Sequence, residues 1–263
     1  MQLTSFKYKT RKGPDYRHGE QVSFMDIKQT FGIGGIRIGK WVNTEEKQLA
    51  ANLIFDSLAD LAFILALPPE AIGLRGNLNL AFGTGGRKGV QAHYAPNQRE
   101  LALAKNAGAG ALAHEFWHAF DHYIAEKAFD IGDRSGPQNK ILFASDCWLS
   151  NINHKPHPLN TILLKVFDSA LLTDDGQDRH DYVSRSVRAD QAMGSRYFSL
   201  PTEMMARAFE AVVESCSDIE NPYLVSGTKQ PESIDLYPDM QHRTVIHHAL
   251  QAYFQPLGDA LSR

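Results

Sequence analysis

The sequence predicts an α+β fold: a small antiparallel sheet packed on one helix with a polar face, followed by a mostly helical C-terminal half. Three observations predict it. Short apolar runs separated by turn residues crowd into residues 77–104, as paired strands do. Apolar residues at helical spacing, with capping signals, mark helices on both sides of that region. No repeat, low-complexity tract or linker divides the chain, so one domain over residues 31–263, preceded by a basic segment over 1–30, is the simplest organisation.

Taken in order, "FGIGGIRIGKWV" (31–42) mixes glycine with β-branched residues and predicts a short strand or hairpin. Asn43 followed by Glu46 is a capping-box start for a helix. Ile54, Leu58, Leu61 and Leu65 then recur at helical spacing until Pro68-Pro69 stops the pattern. "NLNLAF" (77–82), "VQAHYA" (90–95) and "RELALA" (99–104) predict an antiparallel meander, with the last run beside the functional cleft. A second helix is expected from about Ala111. Beyond Asp130 the segments "DRSGPQNK", "NHKPHPLN" and "LLTDDGQDRHD" predict loops around a partly helical region. "PTEMMARAFEAVVE" from Pro201 predicts a strong helix, since proline suits a first turn and no breaker follows. "YPDMQHRTVIHHALQAYF" predicts a closing one.

The 263 residues are 43% hydrophobic and 22% charged, an ordinary globular composition that argues against disorder. The net charge of -3 gives no general attraction to nucleic acid. Residues 1–40, however, carry eight basic side chains against three acidic ones, and a basic arm of this kind can contact a polyanion or simply be solvated. The two cysteines form no CxxC pair, which suits a reducing compartment. The N-terminus has no apolar core of signal-peptide type, and "LADLAFILAL" (58–67) is half the length that crosses a bilayer. A cytoplasmic protein without membrane association is the expectation.

The chemistry concentrates in "GALAHEFWHAFDHY" (110–123). On a helix, residues four apart lie about 40° apart around the axis, so His114 and His118 share a face and can hold one zinc ion. Glu115 is about 100° round, placed to act as general base without ligating. A catalytic zinc needs a third protein ligand. His122 lies about 12 Å from His114 along a continuous helix, too far for one ion. Glu203 is the preferred third ligand, provided its helix crosses the first, with Glu210 as the alternative. Arg207 and Glu210 share the face of Glu203 and are placed to orient it or pair with each other. Asp121 can accept the second N–H of a ligating imidazole, or be a plain surface carboxylate. Tyr197 can donate its hydroxyl to an oxyanion, or be a buried structural tyrosine.

The blocks "IGKWVN", "ALPPEAIGL", "LNLAFGTGGRKGVQAHYAPNQRELALAKNAGAGALAHEFWHAFDHY", "RYFSLPTEMMARAFEAVVE" and "NPYLVSG" resemble the large polyvalent protein-associated domain of the first type and the bacterial CLCA_X family, over about residues 31–255. A more distant likeness is to gluzincin protease domains of the anthrax lethal factor type. The resemblance implies a zincin-like metallopeptidase fold, with His114, His118 and Glu203 as zinc ligands, Glu115 as base and Tyr197 as oxyanion donor. The 85 residues between His118 and Glu203 are long for that pattern and imply an insertion or lid at about 130–196. The function expected is zinc-dependent hydrolysis of a peptide or protein substrate. The alternative is a binding or processing module that keeps the fold and acts through protein or nucleic-acid partners.

Overall fold

The structure, a computed structural model, describes residues 11–84, 91–105, 110–132, 142–230 and 235–263. Ser23 and Asp26 close a capping box at the start of helix α1 (Phe24–Thr30), which buries Phe24 and Ile27. Asn43 and Glu46 close the expected one at the start of α2 (Thr44–Ile64). Ile54, Leu58, Leu61 and Leu65 are buried as their spacing predicts, and a 3-10 turn over Pro69–Gly73 ends this section.

Among the described residues the strands are β1 (Ile36–Ile38), β2 (Asn79–Phe82), β3 (Ala92–Ala95) and β4 (Glu100–Leu103), in the spatial order β1-β2-β4-β3. β2 runs parallel to both β1 and β4, and β3 pairs antiparallel with β4. The sheet is therefore mixed, which corrects the expected antiparallel meander. Burial explains the order. β4 is buried along its whole length, as a central strand must be, whereas β3 is only half-buried and takes the edge. The edge strand β3, not the run 99–104, consequently borders the cleft described below.

Helix α3 (Leu112–Ala128) follows β4 and carries the HExxH residues. No side chain caps it. Instead its start is bonded to the "NPYLVSG" segment: Gly110 N donates to Tyr223 O at 3.0 Å and Ala113 N to Leu224 O at 3.1 Å. These bonds satisfy backbone donors that a helix start otherwise leaves without partners. Gly110 has φ +98°, and a Cβ there would stand 2.1 Å from Ser226 Oγ, so glycine is required by both conformation and contact. Asn221 fixes this collar. Its Oδ1 accepts from Tyr223 N at 2.9 Å, and its Nδ2 donates to Asp60 Oδ2 at 2.8 Å. Asp60, on α2, is fully buried and is gripped by Arg11 through a two-pronged contact that includes Nε to Oδ2 at 2.7 Å.

The basic N-terminal residues are thus largely committed to the fold. Arg17 pairs with Asp56 at 2.8 Å, and Lys12 with Glu220. Lys7 and Lys9 lie outside the described residues. The C-terminal half is helical: α4 (Ala144–Leu149), α5 (Pro158–Leu171), α6 (Asp181–Met193), α7 (Pro201–Glu214) and α8 (Met240–Leu261). Phe209 of α7 packs on Trp117 of α3, ring centres 5.0 Å apart, and Phe120 of α3 packs on Phe254 of α8 at 5.2 Å. The span 130–196, expected as an insertion, supplies α4, α5 and α6. Leu163, Val166 and Phe167 of α5 are fully buried in the shared core. The loop expected at "DRSGPQNK" lies outside the described residues. Among the described residues, no helix is long and apolar enough to cross a membrane.

Removing one partner of a buried ion pair leaves an uncompensated charge and costs about 3–5 kcal/mol. Arg11→Ala should therefore destabilise the protein by about that much, read from urea unfolding. Faster amide exchange at Ala113 should accompany it, because Asp60 supports Asn221 and hence the start of α3. A loss below about 1 kcal/mol would show that the buried carboxylate does not depend on Arg11.

Candidate metal centre

The packing of α7 across α3 brings three groups together. The Nε2 atoms of His114 and His118 lie 3.1 Å apart. Glu203 Oε2 is 3.3 Å from His114 Nε2, and Glu203 Oε1 is 3.4 Å from His118 Nε2. Ligand atoms from the three residues all fall within 4.8 Å of one another, a group that could hold a metal ion. A tetrahedral ion with bonds near 2.0–2.1 Å would space its ligand atoms roughly 3.3 Å apart, so the observed separations fit such an ion. Glu203 Oε2 is buried without a hydrogen-bond partner among the described residues, which a metal bond would supply.

Burial opposes ionisation of both partners, yet their proximity reverses the outcome. The His114 imidazolium would be disfavoured by desolvation, but the adjoining carboxylates of Glu203 and Glu210, with the charge of Glu115, push it up to about 10. Burial likewise pushes the Glu203 carboxyl up, but the two imidazoles outweigh it and hold the group well below the usual carboxylate range. His114 Nδ1 lies 3.0 Å from Glu210 Oε1, which also accepts the Tyr237 hydroxyl at 3.0 Å. Glu210 therefore engages the far nitrogen of His114, leaving Nε2 turned toward Glu203. That contact fixes the ring orientation.

Glu115 sits beside this group and is buried. Its Oε2 accepts the backbone N–H of Tyr94, on edge strand β3, at 2.7 Å. Desolvation pushes its carboxyl up, against the lowering charge of His114 and His118. A cleft of about 360 Å³ opens over these residues, bounded by Ala92, His93 and Tyr94 on one side and Phe143, Tyr197 and Thr202 on the other. Tyr197 is half-exposed at this cleft rather than a core residue. Burial, reinforced by the charges of Glu203 and Glu115, pushes its phenol above the usual range, so it stays a proton donor.

Asp190 presents that tyrosine. Its carboxylate accepts from Tyr197 N at 2.9 Å, Phe198 N and Ser199 N at 2.8 Å, Ser195 Oγ at 2.8 Å and Ser199 Oγ at 2.6 Å. One side chain thus organises the whole turn between α6 and α7. Arg207 secures its other side, donating to Phe198 O and to Leu236 O at 3.0 Å.

Two expected orienting roles fall elsewhere. Asp121 is fully buried and accepts from Ser145 N at 2.8 Å and Ser145 Oγ at 2.6 Å, so its bonds tie α3 to α4 rather than to an imidazole. Arg207 donates to the carbonyls of Leu236 and Phe198 and to Ser186 Oγ at 3.3 Å, and among the described residues it forms no ion pair with Glu203 or Glu210. His122, already set aside as a ligand, contacts the Tyr94 hydroxyl at 2.8 Å. Sequence reasoning missed Tyr94, Tyr237, Phe143 and Asp190. The edge position of β3 was the one available signal for Tyr94; the others bear no fixed spacing to HExxH.

Two outcomes follow. Glu203→Ala should abolish binding of a divalent metal, while Glu210→Ala should weaken it about 10–100-fold, as loss of an orienting partner does; equal retention in both would remove Glu203 from the ligand set. Asp190→Ala should accelerate amide exchange at Tyr197, Phe198 and Ser199 at least about tenfold with metal content unchanged, since the bound carboxylate is what protects those amides. Unchanged exchange would mean the turn is held by its flanking helices alone.

The family model of the large polyvalent protein-associated domain 1 matches residues 189–261. That span runs from the end of α6 through α8 and includes Tyr197, Glu203, Arg207 and Glu210. It is shorter than the resemblance read over 31–255 and does not include α3. No curated protein and no solved structure matches the chain.

Proposed function

We propose that the protein is a zinc-dependent metallopeptidase of gluzincin type, with a peptide or protein substrate. The observation that carries this reading is the convergence of His114, His118 and Glu203 beside a buried Glu115 that is not part of the ligand group. A purely structural zinc site closes its coordination with four protein ligands, whereas three ligands facing a cleft leave a position open. The resemblance of the HExxH and "RYFSLPTEMMARAFEAVVE" blocks to zincin-like and lethal factor-type domains points the same way.

The residues divide the work. His114, His118 and Glu203 would hold the zinc ion, which when bound would supply Lewis acidity. Glu115, anchored through Oε2 by Tyr94 N, takes a proton from the attacking water on Oε1 and returns one to the leaving amine. Its burial raises its basicity toward what that exchange needs. Tyr197 donates its hydroxyl to the oxygen that gains charge. An extended substrate lies along the outer edge of β3 as an added strand, bonding to backbone groups other than Tyr94 N, which Glu115 holds. Phe143 and Tyr197 form the facing wall. The alternative, a binding or processing module acting through protein or nucleic-acid partners, would draw on Lys7, Arg11 and Arg17; of these, Arg11 pairs with Asp60, Arg17 pairs with Asp56 and Lys7 lies outside the described residues.

Glu115→Gln separates catalysis from binding. The amide is nearly isosteric and the residue is not a ligand, so zinc content and fold should persist. Cleavage of a peptide library should fall by about 10²–10⁴-fold, the usual worth of a general base. A variant that cleaves like the wild type while His114→Ala is inactive would contradict the role of Glu115.

A further inference from the structure

A second cavity, of about 800 Å³, lies on the opposite side of α3 from the metal centre. Phe116 and Phe120 project roughly half a turn away from His114 and His118, so the same helix walls both spaces. Phe116 and Phe120 form the floor with Tyr253 and Phe254 of α8, and all four are buried. The exposed lining includes cations: Arg75, Lys127 and Lys155 stand at the mouth, with Glu70 as the lone lining carboxylate among the described residues.

None of the three cations has an acidic partner among the described residues. The Lys127 ammonium rests over the Tyr123 ring at 4.2 Å, and Lys155 Nζ donates to the Glu126 carbonyl at 2.7 Å. The volume suits a small molecule rather than a docked helix. An apolar floor favours a hydrocarbon body, and excess positive charge at the rim favours an anionic head. We propose that this cavity binds a free long-chain aliphatic carboxylate, its chain on the aromatic floor and its head against Lys127, Lys155 and Arg75. This site is separate from the peptidase reading and does not depend on it.

Dodecanoate, kept below its micelle concentration, is the probe, with binding measured by calorimetry on the full chain. Dodecanol and acetate report the head and the chain separately. Ala260→Trp fills the mouth from an exposed position on α8, and Lys127→Glu with Lys155→Glu reverses the rim charge. Glu203→Ala checks whether the carboxylate settles on the metal instead. Saturable one-to-one binding is expected, at least about tenfold tighter than for dodecanol or acetate. It should be lost in Ala260→Trp, weakened about tenfold or more by charge reversal, and unchanged in Glu203→Ala. Circular dichroism confirms that each variant is folded. The proposal is overturned if dodecanol binds equally well, if folded Ala260→Trp keeps full affinity, or if Glu203→Ala abolishes binding.

Discussion

The crossing of α7 over α3 sets the geometry on which the rest of the structure depends. Two imidazoles four residues apart are a property of one helix, but the carboxylate that meets them comes from another. Phe209 against Trp117 fixes how closely those helices approach. The same contact places Glu203, in the first turn of α7, over His114 and His118. Two turns further along, it brings Glu210 to the other nitrogen of His114. A single interface thus supplies both a candidate ligand, Glu203, and the carboxylate that meets the far nitrogen of His114, and packing rather than loop structure determines their positions.

That interface is held in place from a distance. α3 lacks a side-chain cap, so its start depends on the collar at 221–226, which depends on Asn221, which depends on buried Asp60 and its partner Arg11. The basic N-terminal stretch is therefore part of the support of the HExxH helix. A charge pattern that resembles a polyanion-binding arm in the sequence is, for Arg11 and Arg17, a set of counter-ions for acidic residues on α2.

Much of this was legible in the sequence, and the reason is periodicity. The i, i+4 histidines, the capping box at Asn43–Glu46 and the proline-started helix at 201 are local signals, and local backbone physics decides them. Glu203 was legible because a carboxylate at the start of a strong helix has few places to go once that helix packs on α3. Strand order was not. Three short runs look like a meander until burial is known, and burial of all of β4 is what places it between β2 and β3. Nor were the orienting contacts. Asp121 is a plausible partner for an imidazole and Glu210 an alternative ligand or a partner of Glu203, and only the helix crossing decides that Glu210 reaches the far nitrogen of His114 while Asp121 bonds to Ser145. Asp190 escaped notice because its five bonds close a turn that no motif marks.

X-ray absorption at the zinc edge of the purified protein tests most directly the proposal that zinc binds between α3 and α7. Two imidazole nitrogens and carboxylate oxygen at about 2.0–2.2 Å, with no sulfur, are expected from His114, His118 and Glu203. Loss of the two-imidazole signature in His118→Ala should accompany this. A sulfur shell at about 2.3 Å, which would draw on Cys147 or Cys216, or a bound zinc with fewer than two imidazoles, would contradict it.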